Sequence, residues 1–185
     1  MEYTCRYSSP LGGITLASDG DHLTGLWFDG QKYFAATLSE ENEEKALPVL
    51  EETKRWLDLY FQGKNPDFTP PLRPKGSPFR QAVWKILREI PYGRVITYGE
   101  IARRIVQTED GQPPRRVMSG QAVGGAVAHN PISLIIPCHR VVGSSGSLTG
   151  YAGGMEKKIY LLTLEKVDRT SLFVPQKGPH YKRIV

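Results

Sequence analysis

Apolar and polar positions alternate at the start of the chain. Ile14 and Leu16 interleave with Thr15 and Ala17, Ser18-Asp19-Gly20-Asp21 turns the chain, and Leu23-Thr24-Gly25-Leu26-Trp27-Phe28 continues it. This two-residue rhythm predicts strands within residues 1–30. The rhythm then lengthens. Over 48–61, Leu50, Leu57, Tyr60 and Phe61, with Trp56 nearby, fall near one stripe of a helix that Gly63 closes. Asn65-Pro66 to Pro74 holds four prolines and few helix formers, which reads as a linker.

The second half has clear punctuation. Ser77 suits an N-cap and Pro78 the first helical position. Phe79, Val83, Ile86, Leu87 and Ile90 repeat at helical spacing until Pro91-Tyr92-Gly93 stops them. Val95-Ile96 reads as extended. Thr97-Tyr98-Gly99-Glu100 has capping-box spacing, with Thr97 as cap and Glu100 reaching back, and the helix that follows buries Ile101 and Ile105. A polar loop from Gln107 to Val117 leads to Ser119, the expected cap of a second helix ending at His129-Asn130-Pro131. Two such helices make a helix-turn-helix candidate, with a loop longer than the usual turn.

Gly124 and Gly125 lie inside that second helix and cost roughly 1 kcal/mol each relative to alanine. Close approach of a nucleic acid would explain them. Close helix packing in the core is the alternative. Ile132–Ile136 reads as a buried strand ending at Pro137-Cys138-His139-Arg140. After Val141-Val142 and a turn at Gly143–Gly146, Leu148–Gly154 forms a glycine-rich loop before a helix from about Glu156 to Lys166. The loop lacks the Gly-Lys-Ser/Thr ending of a phosphate loop, and a planar ligand suits it better. Residues 169–185 read as a basic, weakly structured tail.

At 185 residues the chain holds one domain or two small ones, and its 39% hydrophobic and 23% charged content suits a globular protein. Charge separates the halves. Residues 1–75 carry 8 basic and 12 acidic side chains, residues 76–168 carry 12 and 7, and residues 169–185 carry 4 and none. The second half is the one to meet a polyanion, although a solvated basic face would look the same. No apolar stretch is long enough to cross a bilayer, and Met1–Arg6 lacks the basic start and apolar core of a signal peptide, so the expected location is cytoplasmic. There a disulfide between Cys5 and Cys138 is disfavoured. Neither cysteine sits in a zinc-type cluster, so no metal is expected.

Cys5 reads as a packing residue in a strand. Cys138, with His139 beside it and Pro137 fixing the approach, reads as a mounted reactive thiol. A thiol needs a base to become a nucleophile at neutral pH. The ordinary alternative for His139 is a satisfied buried histidine, and for Glu165 a solvated helix charge.

The segments Ala122-Val123-Gly124-Gly125-Ala126, Asn130-Pro131, Ile136-Pro137-Cys138-His139-Arg140-Val141-Val142 and Gly150-Tyr151-Ala152-Gly153-Gly154 resemble the O6-alkylguanine-DNA alkyltransferases, in that family's order. The likeness is strong over residues 77–166 and weaker over 1–75. It implies an α/β N-terminal domain, 1–75, of sheet plus helix and ribonuclease-H-like. A mainly α DNA-binding domain, 76–168, of helix-turn-helix or winged-helix kind would follow, and then the tail.

By resemblance, Cys138 accepts the alkyl group of O6-alkylguanine in double-stranded DNA, irreversibly and once, with O4-alkylthymine a further candidate lesion. His139 takes the thiol proton through a bound water and Glu165 orients His139. The Tyr98 hydroxyl assists the leaving guanine, and Asn130 holds the turn beside the thiol. Pro137, Val141, Tyr151 and Ala152 frame the flipped base. The helix from Ser119 to Ala128 enters the minor groove through Gln121, Ala122, Gly124 and Gly125, with Thr97, Arg115, Arg116 and Arg140 as further DNA contacts. No cofactor and no metal are implied, and the expected state is a monomer.

Two departures stand out. Gln121 occupies the place of the family's usual arginine, and the 107–117 loop is longer than in typical relatives. The rival readings are a non-catalytic sensor of alkylated bases, against which Cys138 argues, and a multiple-turnover cysteine hydrolase or transferase.

Overall fold

The computed structural model describes residues 1–107, 120–175 and 181–183. Strands β1 (Glu2–Ser9), β2 (Gly12–Ser18) and β3 (Leu23–Phe28) form an antiparallel meander, and β4 (Asn42–Glu44) adds in parallel beside β1. Strands β1 to β3 are those expected within residues 1–30, and all six residues of β3 are buried. Helix α1 (Pro48–Phe61) packs against the sheet, and the C-terminal half closes the outer edge of β3. There Leu26 donates its N–H to the Pro131 carbonyl (2.9 Å) and accepts from the Ser133 N–H (2.9 Å). The linker occupies the same edge, through Leu23 N–H to the Pro71 carbonyl (2.7 Å) and Arg73 N–H to the Leu23 carbonyl (2.8 Å). An edge strand with unpaired amides is thus sealed by chain from the other half.

The stripe expected on α1 is real: Leu50, Trp56, Leu57 and Tyr60 are buried. In the second half, α2 (Pro78–Arg88) begins where the Ser77 hydroxyl accepts the Arg80 N–H. It packs on α3 (Tyr98–Gln107) and α4 (Gly120–Ala128), and Trp84 Nε1 donates to the Ala126 carbonyl at 2.8 Å. Strand β5 (Ile96–Thr97) runs parallel to β6 (Val141–Val142), and α5 (Met155–Leu164) follows. One hydrophobic core runs through both halves, from Ile14, Leu26 and Leu57 to Val83, Ile101, Val127 and Ile136.

Three expectations need correction. Ile132–Ile136 is a buried turn, not a strand. Only Ile132 bridges Leu26, and Ile136 N–H returns to the Ile132 carbonyl, with Leu134 at φ 70°. An apolar run bounded by Pro131 and Pro137 has lost ladder donors at both ends, so burial does not make it a strand. Thr97 caps α3 as expected, accepting the Glu100 N–H at 3.1 Å, but the Glu100 carboxylate turns to Arg103 and Arg104 instead of reaching back. The tail, expected to be weakly structured, carries a hairpin: β7 (Phe173–Pro175) and β8 (Tyr181–Arg183) pair antiparallel and Leu148 N–H bonds the Phe173 carbonyl.

The glycines of α4 separate the two explanations offered for them. A Cβ built at Gly124 or at Gly125 meets nothing within 4 Å. Close packing against another helix of this molecule therefore does not explain them.

Candidate active site

The thiol is mounted by a turn. Asn130, buried after α4, donates its side-chain N–H to the Ile136 carbonyl (2.7 Å) and accepts the Ile132 N–H (3.0 Å), so one amide clips both ends of the buried turn. Cys138 then opens a single 3-10 turn, Cys138–Arg140, that feeds β6. The cysteine is 5% exposed. Burial pushes its thiol pKa up, against the hydrogen bond from Asn130 and the charge of Lys158. At rest the sulfur keeps its proton.

His139 is fully buried behind it, with Nε2 2.5 Å from Glu165 Oε2. Glu165 is the C-cap of α5 and gathers partners from several parts of the fold. Oε2 also accepts the Tyr60 hydroxyl (2.6 Å), while Oε1 accepts Arg140 Nε (2.8 Å) and the Gly93 N–H (3.0 Å). Burial alone would raise the Glu165 pKa. The His139 hydrogen bond and the nearby positive charge of Arg140 outweigh it and hold the carboxyl well below the usual carboxylate range. Burial lowers the His139 pKa despite Glu165. The pair therefore rests as a carboxylate and a neutral imidazole. Since Nε2 faces a carboxylate, it carries the proton and Nδ1 is the basic nitrogen. Nδ1 is buried and has no hydrogen-bond partner among the described residues.

Beside this chain lies a pocket of about 310 Å³, lined among others by Tyr98, Gly124, Thr149, Gly150 and Tyr151. The His139 ring lies edge-on to Tyr151 of the pocket wall, centroids 6.5 Å apart, and so brings Cys138, its neighbour in the chain, to the same side. Burial, then the Cys138 charge, pushes Tyr98 up to about 12, so its hydroxyl stays a donor. It gives its proton to the Thr149 carbonyl at 3.0 Å. That carbonyl also receives Lys158 Nζ at 3.0 Å, and the same ammonium bonds the Val141 carbonyl at 2.5 Å. Gly150 sits at φ +78°, and a Cβ there would come 2.6 Å from the Tyr98 oxygen, so only glycine lets the loop pass this close. Lys32, from the N-terminal half, joins the rim through its N–H to the Ala152 carbonyl (3.1 Å), and Tyr33 stacks on His129 at 3.8 Å.

The expected residues thus fall into groups. Cys138, His139, Glu165 and Asn130 come together under the pocket, with Pro137 and Val141 buried alongside. Tyr98, Tyr151 and Ala152 line it. Gln121 and Ala122 lie exposed on α4 beside Gly124 and Gly125. Thr97 serves as a cap, and Arg115 and Arg116 lie outside the described residues. Arg140 is a correction. It is 8% exposed and donates inward to Glu165 and, through Nη1, to the Ile90 carbonyl (2.8 Å), so it does not present its guanidinium to DNA. Sequence reasoning missed Tyr60 and Lys158. Lys158 had one available signal, a lysine directly preceding the apolar Ile159, Leu161 and Leu162.

A buried thiol, a neutral imidazole and an ionised carboxylate beneath a pocket define a protein of the cysteine-nucleophile class, here spanning a sheet domain and a helical domain. Comparison with known proteins gives the particular family. A family model described as 6-O-methylguanine DNA methyltransferase, ribonuclease-like domain, matches residues 3–74, and one described as the DNA binding domain of the same proteins matches residues 78–167. The chain belongs to the 6-O-methylguanine DNA methyltransferase family. It is 43% identical to a methylated-DNA–protein-cysteine methyltransferase of Haemophilus influenzae over 89% of this chain and 87% of that one. A methyltransferase of the same name from Methanosarcina acetivorans is also 43% identical, over 88% and 97% of the two chains. Among solved structures, Mycobacterium tuberculosis OGT in complex with DNA aligns with a TM-score of 0.73 at 41% identity, covering 89% of this chain and 92% of that one.

Proposed function

We propose that this protein repairs DNA by moving the alkyl group of O6-alkylguanine onto its own Cys138, once per molecule. The observation that carries the assignment of residues is the line from a protonated, buried thiol to a neutral imidazole held by a carboxylate, beside a pocket with a phenol donor. The Cys138 sulfur attacks the alkyl carbon and the carbon–O6 bond breaks. The thiol proton passes through a water to His139 Nδ1, Tyr98 gives its hydroxyl proton to the leaving guanine, and the imidazolium proton returns to the phenolate through solvent, so the net change is one thioether formed and one guanine restored. Tyr98 can turn from the Thr149 carbonyl to a base without leaving that carbonyl bare, because Lys158 already donates to it. Each product consumes one protein.

A base stacked in a duplex cannot reach a buried sulfur, so the base is flipped into the pocket. α3 and α4 act as a helix-turn-helix variant, with the open glycine face of α4 in the minor groove. Gln121 takes the place left by the flipped base, and Arg115 and Arg116 contact phosphates. The N-terminal domain is ribonuclease-H-like, the working unit is a monomer, and its place is the cytoplasm. Among the described residues no helix is long and apolar enough to cross a membrane.

Incubation with a labelled O6-methylguanine duplex, followed by intact-mass measurement, tests the proposal. The expected result is one methyl per protein, on Cys138, absent in Cys138→Ala. Tight binding with no adduct would make the protein a sensor, and many products per protein would make it a hydrolase.

A further inference from the structure

We propose that Tyr60, contributed by the N-terminal domain, is a positioning residue of the alkyl-transfer relay: its hydroxyl shares Glu165 Oε2 with His139 and so sets how strongly the carboxylate holds the imidazole. The inference rests on the relay read above and extends it across the domain boundary.

Tyr60 lies on the buried stripe of α1, and its ring stacks on Trp56 at 5.2 Å and 8°. A phenylalanine would make the same ring contacts. The hydroxyl is different. It is fully buried, it donates to Glu165 Oε2 at 2.6 Å, and it lies 3.4 Å from His139 Nε2. A neutral donor on an ionised carboxylate is a charge-assisted bond, and it draws off negative charge that the imidazole would otherwise feel. It also fixes the carboxylate from the side opposite Arg140, which together with Gly93 holds Oε1. Other groups face the pair. Arg140 comes from the 3-10 turn, Lys158 from α5, Tyr92 from the segment after α2, and Tyr151, which also feels Cys138, from the glycine-rich loop. Of the three tyrosines, only Tyr60 has its hydroxyl on the relay. Tyr92 spends its proton on the Gly63 carbonyl at 3.1 Å, and the Tyr151 oxygen is unpartnered among the described residues.

Removing the hydroxyl returns charge to His139, makes the imidazole more basic, and moves the acid limb of the reaction to higher pH. The test measures the single-turnover rate of Cys138 alkylation by excess O6-methylguanine duplex from pH 5 to 8, together with the titration of His139 in 15N-histidine-labelled full-length protein. In Tyr60→Phe both the acid limb and the His139 titration move up by about one pH unit, a tenfold rate loss on the limb, with duplex affinity kept. Tyr92→Phe overlays the wild type. A tyrosine fluorinated on its ring at position 60 is a stronger donor that keeps the packing. It shifts both readouts the opposite way, and it decides the matter if Tyr60→Phe does not fold. A uniform rate loss with unmoved limb and titration would make Tyr60 a packing residue and overturn the inference. A wild-type thiol that takes no alkyl group would sink the relay reading instead, and the His139 titration would still decide whether Tyr60 tunes the imidazole.

Discussion

The two walls around the pocket are built on opposite principles. Beneath it, Glu165 accepts four hydrogen bonds, from a tyrosine, a histidine, an arginine and a backbone amide. Along its side, α4 offers glycines whose missing side chains would have met nothing. Both oxygens of the buried carboxylate are satisfied inside the protein. The second wall is unfinished until a partner arrives. Buried charge is tolerable only when every partner is already in place, whereas a surface meant for a macromolecule has to keep its space open.

The contrast can be broken by filling the open side or emptying the full one. The largest effect is expected from Glu165→Gln. It leaves the buried Arg140 without its counter-charge and His139 Nε2 without its charged acceptor, and should cost about 3–5 kcal/mol of stability in urea unfolding. A small loss would mean that the buried network is not under the electrostatic tension described here. Gly124→Leu does the reverse. It should keep or raise stability by up to about 1 kcal/mol, since leucine is the better helix former, while weakening duplex binding on the order of tenfold or more. Unchanged binding would show that the open face of α4 is not the DNA surface.

A subtler test uses pH. The His139 pKa is lowered from its usual 6.5, so below that value the unfolded chain binds a proton that the folded chain refuses. Stability should therefore fall as pH drops below about 6.5, by up to about 1.4 kcal/mol per unit while the folded imidazole stays neutral. Glu165, depressed from 4.5, adds a second loss of the same sign as pH falls below about 4.5. His139→Gln should flatten the first fall, as read by unfolding midpoints at pH 5.5 and 7.5. The smallest expected change is in Gln121→Arg, which restores a charge to the exposed face of α4 and should steepen the salt dependence of duplex binding by about one phosphate contact.

Much of the fold was legible because periodicity reports burial directly. The stripe on α1, the cap at Ser77 and the strands before residue 30 all follow from local spacing. The failures have a common cause. Ile132–Ile136 is as apolar as a strand, but its hydrogen bonds are set by Asn130 and by the edge of β3, neither of which the run itself encodes. Arg140, a DNA contact by the resemblance, turns inward instead. Its direction is decided by Glu165, 25 residues away. The Tyr60 pairing with Glu165 spans 105 residues, and no spacing rule reaches that far.

The amino-acid order determined the elements, the nucleophile and the family, because caps, turns, periods and a Pro-Cys-His-Arg run act over a few neighbouring residues. Tertiary structure alone decided the protonation state of the site and the share each domain has in it. Proton affinities depend on which dipoles and charges surround a group at 3 Å, and those neighbours are assembled only when the sheet domain and the helical domain close over the core they share.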